Sequence, residues 1–454
     1  MTTPLLPTRR RAMLASALLL AGTSVSSRTA HATTLGVDQR RADLAQFRRD
    51  FLDRDASYAP AARAGAQARL AALEAQTGLV DSARFALELA RIAALADNGH
   101  TMSLPLPRAE LFNRVPLRFV PFGRDVHVVR TTPEHAALLG ATLEAIDGRP
   151  LDALRSAAHG LQGGPPAWRD RWLPLYVESP EQLHALGQAD APQRARYALR
   201  APDGTRLERT LDAEPPRPDR PRANTGRLLL PGVLGEDLGW RGVLPATQAP
   251  WSLQEPLQFL RWRIDDARSL AVVEMRVTHD TARQKLPAFF DEARRAVAER
   301  RPRHLALDLR QNGGGDLTTT RAFAQSLPEL VPGRLFVVTS PWTFSAAIST
   351  TGYVKQAAPD RVTLVGEEPG DRLEFWAEGR VLTLAHSRLA LLPATERHDY
   401  RDGCRRFDDC HDPVRRHPIA VPTLAPDIAA PWTYAAWRDG IDPAMRAVEQ
   451  ALAG

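Results

Sequence analysis

Hydrophobic and polar positions change their rhythm twice along this chain. Between about Val37 and Leu95, apolar residues recur at helical spacing, as in Phe85, Leu87, Leu89, Ile92 and Leu95. The run is rich in Ala, Leu, Arg and Glu, and it predicts a small helical unit. From Leu117 to Leu211 the pattern shortens. Val126-His-Val-Val129 predicts a strand and Glu134-His-Ala-Ala-Leu-Leu139 a short helix. Tyr197-Ala-Leu-Arg, a turn at Pro202-Asp-Gly204 and Leu207 to Leu211 predict a hairpin. Glu214 to Arg222 is rich in proline and arginine and reads as a linker. From Gln258 onward the strands become fully apolar: Leu270 to Met275, His304 to Leu309 and Leu335 to Thr339. The helix predicted over Leu286 to Glu299 places Phe289, Phe290, Ala293 and Val297 on one side. Strand, helix and strand in that order predict a parallel pair with a right-handed crossover. The expected fold class is multi-domain α/β: a helical domain over 37–105, a β-rich module over 117–212, a linker region over 213–257 and an α/β core over 258–454.

The first residues change the picture by assigning a compartment. Arg9-Arg10-Arg11, the apolar run Ala12 to Ala21 and Ala30-His-Ala32 form a signal peptide over 1–32, with paired arginines of the twin-arginine type. The apolar run falls short of the ~20 residues that span a bilayer, and no later segment reads as a membrane span. A periplasmic or secreted protein is expected. The net charge is +6, and losing the leader's four arginines leaves +2. Scattered arginines without an aromatic-laced basic stripe argue against nucleic acid as a partner. Cys404 and Cys410 are the only cysteines, and in an oxidising compartment they read as a disulfide closing a short loop. The competing reading joins them with His411 and His417 in a metal site, but their spacing exceeds that usual for zinc-binding cysteines. No metal and no organic cofactor are expected.

Two of the core strands end in loops of chemical interest. One is Asn312-Gly-Gly-Gly315, where triple glycine bares backbone N–H groups. The other ends at Ser345, followed by Ala346-Ala347 and a helical run, so the hydroxyl stands near the positive end of a helix. One loop can hold an oxyanion while the other attacks a carbonyl. Ser345 also reads as an N-cap, and the glycines as a plain tight turn.

These residues resemble the tail-specific, or C-terminal processing, serine peptidases. The matching segments are Leu307-Asp-Leu-Arg310 with Asn312-Gly-Gly-Gly315, Thr343-Phe-Ser-Ala-Ala347, Asp97-Asn-Gly-His-Thr101, Leu364-Val-Gly-Glu367, and Ala425-Pro-Asp-Ile428 with Gly440-Ile-Asp-Pro443. They stand in the family's order. The resemblance implies a core of the tail-specific type, similar to ClpP and crotonase, that hydrolyses protein or peptide substrates. Gly140 to Gly148 is similar to a PDZ motif, so the 117–212 module is expected to be PDZ-like, as a peptide clamp or a spacer.

Ser345 needs a base. The only lysines are Lys285 and Lys355, and neither has the spacing of a partner. The resemblance therefore implies His100, with His398 in reserve; without it, His100 reads as a surface residue after a helix stop at Asn98-Gly99. For a third group that orients the imidazole, Glu367 is the first choice, with Glu368, Asp371 and Asp399 open. Glu367-Glu-Pro-Gly-Asp371 departs from the family's usual segment here. Gly314, with Gly313 beside it, and the Ala346 N–H are the expected oxyanion donors. The expected activity is that of an exported serine peptidase. The alternatives are a non-catalytic peptide- or ligand-binding protein on the same fold, or an acyl esterase.

Overall fold

The structure, a computed structural model, describes residues 35–217, 225–231 and 239–453. The expected leader and part of the expected linker lie outside the described residues. Helices α1 (Val37–Gln46), α2 (Pro60–Ala75) and α3 (Ser82–Ala94) come first. Asp81 caps α3 by accepting the Arg84 N–H. The apolar stripe read from the sequence is buried: Phe85, Leu89 and Ile92 pack with Phe47, Phe51 and Leu70. Leu384, Leu389 and Leu391, from far along the chain, complete the same cluster.

The β-rich module contains β1 (Leu117–Phe122), β2 (Asp125–Thr131), β3 (Thr142–Ile146), β4 (Arg194–Arg200) and β5 (Arg206–Asp212). They lie in that order in one sheet, each antiparallel to the next. Leu154 and Ala158 of α4 (Leu151–His159) pack with Phe119, Val128, Ile146 and Tyr197. The short helix expected over Glu134 to Leu139 is instead a 3-10 turn, Pro133–Leu138, broken by non-helical backbone angles at His135. A segment this short gains too few α-helical bonds to hold the longer period.

The core sheet holds β6 (Leu260–Asp265), β7 (Leu270–Met275), β8 (His304–Asp308), β9 (Leu335–Thr339) and β10 (Val362–Gly366). Only β6 runs antiparallel to its neighbour among these; β7 to β10 are parallel in sequence order. Helices α5 (Leu286–Arg300), α6 (Leu317–Leu330) and α7 (Ala346–Ala357) connect the parallel strands. The strands are buried on both faces, which is why they read as unbroken apolar runs. Leu335 and Val337 face one cluster with Phe290, Phe323 and Ile348, while Phe336 and Val338 face another with Val448. Phe290 stacks on Phe323 at 4.2 Å; burying such a ring stabilises by roughly 1.5–3 kcal/mol.

Beyond β10 come β11 (Glu374–Ala377) and β12 (Glu396–Asp399), an antiparallel pair. The short strand β13 (Ile428–Ala429) then extends the core sheet beside β10, and α8 (Pro443–Ala453) packs its apolar side on the second face. The fold is α/β and multi-domain, and the loops after β8, β9 and β10 gather at one end of the parallel strands, where sites in such sheets form.

Candidate active site

Ser345 stands where β9 gives way to α7. Its backbone has φ 56° and ψ −126°, a conformation that costs a non-glycine residue energy. Neighbouring bonds over-determine the turn. Thr343 Oγ1 donates to Leu309 O (2.9 Å), Ser340 Oγ to Arg310 O (2.6 Å), and Phe344 N–H to Asn312 O (3.0 Å). Strained strand-to-helix turns of this kind lift a serine hydroxyl clear of the sheet. The Ser345 hydroxyl enters no hydrogen bond among the described residues.

The glycine loop presses against that turn. A Cβ on Gly314 would stand 2.6 Å from Ser345 Cβ and 3.1 Å from Ala346 N, and its φ of +102° also demands glycine. The Gly314 N–H donates to Asn312 Oδ1 (2.9 Å), so it is engaged within its own loop, contrary to the donor role expected for it. Gly313 N–H and Ala346 N–H donate to no protein acceptor among the described residues. Gly314 thus provides close approach, and its neighbours provide open donors.

His100 reaches the turn from the loop after α3. Asn98 stitches this loop to β11, donating to Trp376 O (3.0 Å) and accepting the Trp376 N–H (3.0 Å). Met102 and Ser103 pair with Leu392 and Leu391. The buried imidazole lies between Phe344 (4.2 Å between ring centres) and Phe375 (5.1 Å), both nearly parallel to it. Phe344 directly precedes Ser345, so the stack sets His100 beside the serine turn. His100 Nδ1 is 3.3 Å from Asp371 Oδ2. Among the described residues, neither imidazole nitrogen nor Asp371 Oδ2 has a partner in good hydrogen-bonding geometry. Gly99 lets the two loops meet, since a Cβ there would come within 2.6 Å of Asp371 Oδ2.

The carboxylate beside His100 is therefore Asp371, one of the open alternatives, and not Glu367. Glu367 lines a cavity of about 190 Å³ with Arg310, Trp342 and Trp432. Burial pushes its carboxyl up to about 7, against a hydrogen bond from the Trp432 backbone and the charge of Arg310. Arg310 itself is held by Asp308 (2.6 Å) and Asp442 (2.7 Å), so two segments matched in sequence meet as a buried ion triad.

The lysines have other duties: Lys285 pairs with Asp280 (3.3 Å), and Lys355 donates to Val362 O (3.0 Å). His398, the reserve base, has both nitrogens taken, Nε2 by Glu378 (3.1 Å) and Nδ1 by the Tyr400 hydroxyl (2.9 Å). Burial holds its imidazole below the ordinary value. Cys404 and Cys410 are joined as a disulfide, which removes them from any metal site.

Sequence reasoning missed the aromatic sandwich. Rings stack in series as Trp168, Phe344, His100, Phe375, His398 and His411, with centre distances from 3.7 to 5.2 Å. The one available signal was that Phe344 and Phe375 each lie close in sequence to a candidate residue.

A core sheet with this connectivity, a glycine loop against a serine turn and an antiparallel module before them agree with the tail-specific fold expected from the sequence. The solved structures make the likeness particular. Mature CPAF, determined as a complex with lactacystin, matches over 91% of this chain and 98% of its own, with TM-score 0.55 and 11% identity. A CPAF mutant matches over 91% and 97%, with TM-score 0.56 and 11% identity. At that identity the likeness is one of fold. No family model matches the chain, and no curated protein matches it significantly in sequence. No described helix is long and apolar enough to cross a membrane.

Proposed function

We propose that this protein is a serine peptidase in which Ser345 is the nucleophile, His100 the general base and Asp371 the group that orients His100. The observation that carries this reading is the meeting of two loops: the His100–Asp371 pair packs on Phe344, and the next residue is a strained, unbonded serine against a glycine loop. His100 Nε2 takes the Ser345 proton as Oγ bonds to the substrate carbonyl carbon. The carbonyl oxygen becomes an oxyanion held by the Gly313 and Ala346 N–H groups. Collapse breaks the C–N bond, and His100 returns the proton to the leaving amine. Water then repeats the sequence and frees the acid. Asp371 fixes the imidazole tautomer with Nδ1–H toward the carboxylate.

We also propose that the protein acts outside the cytoplasm, on the strength of Arg9 to Ala32 and the disulfide. Amino-terminal sequencing of the exported chain should begin at Thr33.

The test is labelling by a fluorophosphonate, followed by hydrolysis of short peptides and small esters. Labelling of the wild type and none of Ser345→Ala or His100→Ala, each shown to be folded, supports the reading. A wild-type protein that does not label sinks it. Turnover of esters with no peptide cleaved would instead support an acyl esterase.

A further inference from the structure

Glu378 follows β11, His398 lies in β12, and His411 stands just past the disulfide loop. Main-chain bonds bring the last two together: Arg397 N–H donates to Asp409 O (3.1 Å) and His411 N–H to Arg397 O (2.9 Å). As a result, one ligand atom from each of Glu378, His398 and His411 lies within 4.8 Å of the other two. His398 Nε2 is 3.1 Å from Glu378 Oε1, and His411 Nε2 is 3.9 Å from Glu378 Oε2.

The outward-facing nitrogens are already occupied. His411 Nδ1 lies 2.7 Å from Glu396 Oε2, and an ionised carboxylate can only accept. In the neutral imidazole this puts the proton on Nδ1 and leaves Nε2 as a lone pair facing the second carboxylate, Glu378. Two such groups repel unless a proton or a metal ion lies between them. His398 Nδ1 meets the Tyr400 hydroxyl (2.9 Å), which in turn meets the Ser349 hydroxyl (2.6 Å). Both hydroxyls can donate in either direction, so His398 can also turn a lone pair inward. Histidine ligands whose other nitrogen is held by a carboxylate or hydroxyl are a mark of metal sites.

We propose that Glu378, His398 and His411 bind a divalent transition-metal ion of the zinc class, with a fourth position open to water. Two histidines and one carboxylate suit that ion. Ligand bonds of ~2.0–2.2 Å place tetrahedral donor atoms about 3.4 Å apart; His398 Nε2 is 3.1 Å from one Glu378 oxygen and His411 Nε2 3.9 Å from the other, and a set of one atom from each residue lies within 4.8 Å, so small side-chain movements close it on an ion. His398 is buried, whereas the Glu378 side chain is 35% exposed, which gives the ion an entry path. Glu378 also holds a φ of +65°, a second sign that its placement is imposed by its surroundings. The ion would tie the β11–β12 pair to the disulfide loop. The sequence reading expected no metal because it weighed His411 only together with the cysteines.

The experiment uses untagged mature protein, stripped with EDTA, desalted and titrated with Co²⁺ and then Zn²⁺. Binding of about one equivalent of Co²⁺ per chain is expected, with visible d–d bands that Zn²⁺ abolishes. Zn²⁺ should also raise the thermal midpoint. Glu378→Gln and His411→Ala should each lose binding by at least ~100-fold, while His417→Ala should bind as the wild type does. No stoichiometric Co²⁺ binding by the wild type, or unchanged affinity in both ligand variants, overturns the proposal. Should His411→Ala fail to fold, the near-isosteric Glu378→Gln decides alone.

Discussion

On one side of Phe375, His100 meets Asp371; on the other, His398 meets Glu378. Both are buried imidazoles beside a carboxylate, and both stack on the same phenylalanine. Their wiring is opposite. His398 has each nitrogen engaged, and with protons rather than a metal ion between the groups its carboxylate stays ionised: burial works against the charge of Glu378, but the hydrogen bond from His398 and the neighbouring histidines pull it down to about 2. His100 has neither nitrogen in a well-formed bond and is held by ring faces instead. A base must keep a lone pair uncommitted until substrate arrives. A ligand or structural histidine is best with its outer nitrogen fixed. The same residue pair is thus wired for different chemistry according to what surrounds it.

The contrast is tested most severely by deleting the reacting groups. Ser345→Ala and His100→Ala are each expected to lower kcat/KM by about 10^4-fold or more, and the double variant to be no worse. Additive losses in steady-state kinetics would show that the two do not act as a unit. Asp371→Asn should keep the fold and lower kcat by ~10^2–10^4-fold, since the amide no longer selects the required tautomer; a circular-dichroism spectrum and a pH–rate profile check both parts. Gly314→Ala places a methyl group 2.6 Å from Ser345 Cβ at a φ of +102°. A fall of ~10^2-fold in kcat is expected from the displaced serine, together with a lower melting midpoint.

A last effect, on stability rather than turnover, sharpens the comparison with a carboxylate that has no imidazole. Burial raises Glu367 from 4.5 to about 7, so between those values the folded chain keeps a proton that the unfolded chain has lost. Stability then falls as pH rises through that window, by at most ~1.4 kcal/mol per pH unit, and does not return above it. Glu367→Gln should remove this component, gaining stability over the wild type at pH 8 but not at pH 4. Urea denaturation at the two pH values measures it, and an equal slope in both proteins would contradict the buried carboxyl.

The legible parts were those whose signal is local. The strands Leu270–Met275 and Leu335–Thr339 coincide with the unbroken apolar runs, because burial on both faces leaves little room for polar residues. Ser345 beside a glycine loop could be read for the same reason, as both sit at strand ends. The identity of the carboxylate at His100 could not. It depends on Gly370, where a Cβ would strike Pro341 O at 2.4 Å, and on Gly99, two close approaches from distant parts of the chain that steer Asp371 rather than Glu367 to the ring. The meeting of Glu378, His398 and His411 likewise rests on the register of β11 with β12 and on the fold of the disulfide loop.

The Arg310 triad has a consequence for timing. Asp308 adjoins the glycine loop's strand end, but Asp442 is supplied by the last segment before α8. Breaking such a buried pair costs roughly 3–5 kcal/mol. A chain emerging from the ribosome carries Ser345, His100 and Asp371 well before it carries the charge that settles Arg310. The end of the glycine loop's strand therefore gains its second counter-charge only once the segment at Asp442, 132 residues beyond Arg310, has been made.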